Sequence, residues 1–120
     1  MNEIHPIYHN DFGMAFQWKR NALQDLKKVQ LIFRNTGLLL SYKELVHFSK
    51  CIQETEQSGK GNLCQDCKDK GSCRSLLLNT PAHQVSFAVS FTEVQEIKDL
   101  IEGTLFRLNL DNYFDELGIN

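Results

Sequence analysis

Three cysteines fall close together in "GNLCQDCKDKGSC", residues 61 to 73, within a polar stretch punctuated by glycine. The pattern Cys64-x2-Cys67-x5-Cys73 offers three thiolates. A Cys-x2-Cys turn is the spacing at which two sulfurs can reach one tetrahedral zinc ion, each about 2.3 Å away. A closed structural zinc site needs a fourth ligand, and His47 and Cys51 are the candidates. They stand four residues apart, so a helix would carry both on one side. At about 100° per residue from Leu45 they fall near 200° and 240°, beside a Phe48–Ile52 stripe and not within it. A site made of Cys64, Cys67, Cys73 and Cys51, with His47 as the other choice for the fourth ligand, would be a staple ordering a long loop. Three or four protein ligands leave little room for a catalytic water.

Other readings of the same residues stay open. A second Cys-x2-Cys would make the zinc pattern complete, and the chain has none. Cys51 also suits a small core hydrophobe, with the loop cysteines as free thiols. A redox role for Cys64 and Cys67 would require the pair at a helix N-terminus following a strand, where the helix dipole lowers the first thiol's pKa. Here the pair follows Gly61-Asn62-Leu63 in polar chain.

The remaining candidate chemistry is sparse. His5 and His9 fall in an N-terminal arm and His83 in a turn, none beside a nucleophile. No Gly-x-Ser-x-Gly elbow, P-loop or dinucleotide fingerprint occurs. Glu93, Glu96, Asp99 and Glu102 recur every three residues and read as a solvated helix face. With Asp111, Asp115 and Glu116 they make the C-terminal quarter acidic, a surface toward which a basic partner would be steered. Lys19, Arg20, Lys27, Lys28 and Arg34 flank Phe16, Trp18 and Phe33, as a single-stranded RNA platform would require. Burial of those rings under helices is the simpler account, so nucleic acid is not the expected partner.

The elements that must position these residues come from an echo at an offset of 49. Leu40-Ser41-Tyr42-Lys43-Glu44-Leu45 aligns with Val89-Ser90-Phe91-Thr92-Glu93-Val94. Each copy contains Ser-x-x-Glu, the capping box that opens a helix. Leu45, Phe48 and Ile52, and then Val94, Ile97, Ile101, Leu105 and Leu108, repeat at helical spacing. Gly103 is a point where the second helix could bend. Before each helix a strand pair surrounds turn formers: "VQLIF" and "LLL" around Arg34-Asn35-Thr36-Gly37, "SLLL" and "VSFAV" around Asn79-Thr80-Pro81. "GMAFQW" alternates as a fifth strand with Met14, Phe16 and Trp18 on one face. The end of the chain suggests a short separate helix capped by Asn109 or Asp111 and docked through Phe114 and Leu117.

The expected fold is therefore α+β: an antiparallel sheet of four to five strands with two helices packed on one face, arranged as two tandem ββα units. One domain spans residues 1–120, with a flexible arm at 1–10 and a long cysteine-bearing loop at 54–72. Hydrophobic residues make up 42% and charged residues 23%, and the net charge is −2, which gives no basic footprint for nucleic acid or anionic membrane. With no signal-like or membrane-length apolar run, the expected location is the cytoplasm.

The runs "VQLIFRNTGLLLSYKELVHFSKCI" and "CRSLLLNTPAHQVSFAVSFTEVQEIKDLIEGTLF" resemble small uncharacterised proteins of Bacteroidetes-type bacteria grouped as a domain of unknown function, over most of residues 8 to 110. Some of those proteins carry Cys-x2-Cys before the "QLIF" strand, where this chain has Trp18-Lys19-Arg20-Asn21, which puts a metal site of that kind in doubt. The resemblance implies no activity. The sequence thus points to a non-enzymatic cytoplasmic module that binds a protein partner or a second copy of itself, with no membrane role. A small thiol-redox or metal-dependent enzyme and an RNA-binding module are the alternatives.

Overall fold

Ala15 in the second strand stands opposite Leu31 in the third, and Leu31 opposite Leu38 in the fourth, so one face of the sheet is apolar across its width. A computed structural model describes residues 4–18, 28–62 and 73–118. Strands β1 (Ile4–His9), β2 (Gly13–Trp18), β3 (Val29–Phe33) and β4 (Thr36–Leu40) form one antiparallel sheet in sequence order. Helix α1 (Tyr42–Asn62) follows, then β5 (Leu76–Asn79), β6 (Ser86–Val89) and helix α2 (Phe91–Leu117). The class is α+β.

Both helices open as their sequences dictate. Ser41 and Ser90 each accept the amide of the residue three ahead, while Glu44 and Glu93 each accept the serine's own amide. These reciprocal bonds satisfy two otherwise orphaned donors at each helix start. Leu45, Phe48 and Ile52 on α1 and Val94, Ile97 and Ile101 on α2 are buried, and they meet Val29, Leu31 and Phe33 from the sheet in one core. The helices run antiparallel, with Glu56 of α1 bonded to Gln95 and Lys98 and Tyr42 bonded to Asn109 of α2.

Several expectations need correction. The second hairpin does not extend the first sheet: β5 and β6 make a separate two-stranded sheet. It is tied to the first by side chains, since Phe33 and Phe87 pack at 5.1 Å and Arg34 donates to the Ala88 carbonyl at 2.6 Å. Arg34 and Asn35 form the β3–β4 turn with positive φ at both positions, the backbone that tight hairpins require. Residues 4–9 are not an arm but the edge strand β1, where Pro6 is tolerated and a bulge between Pro6 and Tyr8 turns Ile7 into the core. Residues 54–62 are helical and not loop, because α1 continues to Asn62. Asn109 and Asp111 cap nothing: α2 runs unbroken through them to Leu117.

The facing of β2 is also the reverse of the expected one. Ala15 faces the core, while Met14, Phe16 and Trp18 lie on the side away from the helices. An alternating strand presents two faces, and here the small residue is the one that fits against Leu31 beneath the helix layer.

Candidate functional site

The cysteine constellation is only partly within the described residues, since Cys64 and Cys67 lie outside them. Cys51 is a buried free thiol on α1, with its Sγ 3.8 Å from the His47 Nε2. Burial, reinforced by the charge of Glu54, pushes this thiol's pKa up, so Cys51 is not an activated nucleophile at neutral pH. Cys73 sits just before β5 and is disulfide-bonded, its partner being outside the described residues. A sulfur held in a disulfide is not a thiolate ligand. Among the described residues no group of three His, Cys, Asp or Glu side chains could hold a metal ion. His47 and Cys51 are therefore the one part of the expected ligand set that the described structure brings together.

The charged and aromatic candidates are engaged elsewhere. Glu93, part of the acidic series, caps α2 and receives two hydrogen bonds from Arg74, at 3.0 and 2.7 Å. Asp99 accepts from the Tyr8 hydroxyl and from Asn10, tying β1 and its following turn to α2. Arg34 lies 5.8 Å over the Phe87 ring. On the outer sheet face Phe16 is buried, and Trp18 meets it edge to face while donating to Gln30.

What the core does not absorb is one face of the C-terminal part of α2, where Leu105 and Leu108 on the other face still pack against it. Among the described side chains from Leu105 to Leu117 none is buried, although Phe106, Leu110, Tyr113, Phe114 and Leu117 are all apolar or aromatic. Phe106 is 68% exposed, Tyr113 55% and Leu117 53%. The cause is a change of face. Taking Ile97 as zero at 100° per residue, the buried Val94, Leu100, Ile101 and Thr104 lie within about 60° of it, whereas Phe106, Leu110, Tyr113 and Leu117 lie at about 160–220°. The second stripe thus points away from the core that the first one fills.

Beside this stripe runs a cleft of about 550 Å³ between α2 and the sheet edge, walled by Ile7 and Tyr8 on one side and by Phe106, Leu110 and Phe114 on the other. Its floor is Gly103, where the Tyr8 ring lies so close that a Cβ would overlap it. Gly103 lies within the unbroken α2 and admits the Tyr8 ring of β1. Arg107 and Asp111 sit at the rim as an ion pair at 3.5 Å. The sequence hides the stripe because Phe114 and Leu117 suit the docking face of a separate helix equally well. The signal that could have found it is the spacing of Phe106, Leu110, Tyr113 and Leu117, out of phase with Ile97, Ile101 and Leu108.

No known family, curated protein or solved structure matches the chain. Among the described residues no helix is long and apolar enough to cross a membrane.

Proposed function

We propose that this chain is a protein-interaction module without catalytic chemistry of its own, acting through the exposed end of α2 and the adjoining edge of β1. The observation that carries the reading is the second apolar stripe on α2. Large apolar side chains gathered on one exposed helix face, next to a cleft and rimmed by charge, are the signature of a docking surface. Helix-in-groove recognition uses anchors at this kind of spacing. The raised pKa of Cys51 argues against thiol chemistry there, and the burial of Phe16 removes the central ring from any base-stacking platform. Zinc enters this reading only for the reduced chain, held through Cys64, Cys67 and Cys73.

The test is co-purification of tagged wild-type protein against the double variant Phe106→Glu, Tyr113→Glu, with circular dichroism showing both folded. Both positions are exposed, so the variant should keep its fold. Proteins retained by the wild type and reduced at least tenfold with the variant would support the reading. The same proteins in the same amounts on both would sink it.

A further inference from the structure

The spacing of the second stripe specifies more than apolarity. Phe106, Leu110, Tyr113 and Leu117 are separated by four, three and four residues, the d-a-d-a spacing of a helix-pairing seam. That series is the same read in either direction. A twofold axis passing between Leu110 and Tyr113 therefore lays the stripe on itself with the helices antiparallel, as an isologous interface requires. Phe106 then meets the second copy's Leu117, and Leu110 meets the second copy's Tyr113. Each contact pairs an aromatic ring with a leucine, so neither two rings nor two small groups face each other along the seam.

We propose that the occupant of this surface is a second copy of the same chain, paired antiparallel through residues 106–117 of α2; this rests on the reading of that surface as a docking site. The charges permit it. Arg107 and Asp111 neutralise each other within one helix, and Glu116 falls about 90° from the midline of the seam. In the antiparallel arrangement Arg107 approaches the second copy's Phe114, a cation-to-ring contact, and no like charges oppose across the seam. The area is sufficient for a weak dimer: with two aromatic rings and two leucines from each copy, and the rims of the β1 clefts, the pair covers about 1,000 Å² in total. α1 flanks the first turn of the seam, where Tyr42 bonds Asn109, a residue about 70° from the midline of the seam and so beside the approach.

Sedimentation equilibrium of the full chain should show monomer at low concentration and dimer prevailing above about 100 µM, as expected for an interface at the low end of the specific range. Phe106→Glu should shift that midpoint at least tenfold upward with unchanged circular dichroism. Photo-crosslinking from Phe106→benzoylphenylalanine should link to the second copy near Leu117, and a link to the second copy's own position 106 would overturn the antiparallel arrangement. A chain that stays monomeric to about 1 mM overturns self-pairing. If such a monomer still loses its co-purifying proteins in the double variant, the surface docks a foreign partner and only the identity of the occupant was wrong. If it loses none of them, the docking reading fails as well.

Discussion

Gly103 and Tyr8 show how one residue without a side chain joins two elements. The Tyr8 ring lies over Gly103 and its hydroxyl reaches both oxygens of Asp99, four residues back on the same helix, at 3.1 and 2.9 Å. Alanine is favoured over glycine in a helix interior by about 1 kcal/mol, so the sign of Gly103→Ala depends on whether the ring is there. In the wild-type background the new methyl group should displace the ring, break its bond to Asp99 and give no net stabilisation. In a Tyr8→Ala background the same substitution should stabilise by about 1 kcal/mol. Chemical denaturation of the four proteins of this cycle checks it, and equal effects in both backgrounds would mean that the ring does not rest on Gly103. The cysteines separate at the same scale. Iodoacetamide with peptide mapping of the native, unreduced chain should leave Cys73 unmodified until reductant is added, and should label Cys51 slowly because its thiol is buried and protonated. Rapid labelling of Cys73 without reductant would exclude the disulfide.

Helix starts are the elements that the sequence states most directly. Ser41-x-x-Glu44 and Ser90-x-x-Glu93 name a donor, an acceptor and their spacing within four residues, and both boxes form with all their bonds. Strand β1 is the opposite case. "IHPIYH" contains a proline and shows no clean alternation, and its pairing with β2 depends on a bulge and an edge position that only the partner strand defines. The two faces of β2 were equally illegible, since alternation fixes which residues share a face but not which face meets the helices. The extended course of α2 was hidden by Asn109 and Asp111, good capping residues that a helix can equally carry on its surface. Glu93 links the cap to pH. Burial pushes its carboxyl up, but the hydrogen bonds from Arg74 and the Ser90 amide outweigh that and hold it below its ordinary value. A carboxylate with a lowered folded pKa contributes stability in full above its unfolded pKa and loses it as pH falls through the folded value, here on the acid side of the ordinary glutamate range. Because Arg74 is about half exposed, the contribution is about 1 kcal/mol or less. Glu93→Gln, which keeps the capping geometry, should flatten that acid-side loss in a series of denaturation midpoints between about pH 3 and 6. An unchanged slope would show that Glu93 does not titrate differently on folding.

Across the whole molecule, two sheets that share no backbone ladder are held by one apolar cluster. Ile7 and Ala15 of the first sheet, Leu78 and Val89 of the second, and the buried stripes of both helices belong to the same core. A two-stranded hairpin is marginal by itself, so β5–β6 draws its stability from that shared packing and from the contacts of Arg34 and Phe33 with β6. The physical consequence is cooperativity: loosening the hairpin should cost the entire fold and not the hairpin alone. Leu78 is fully buried in β5, and Leu78→Ala should destabilise by about 2–5 kcal/mol. Trp18, the chain's one tryptophan, lies on the far face of the other sheet and reports on that sheet by fluorescence. In Leu78→Ala the Trp18 transition and the helical circular dichroism transition should move together to lower denaturant, keeping one shared midpoint. If the Trp18 transition instead stayed where it is in the wild type while the dichroism became biphasic, the hairpin and the four-stranded sheet would be separate folding units, and the single core would have to be abandoned as the source of their association.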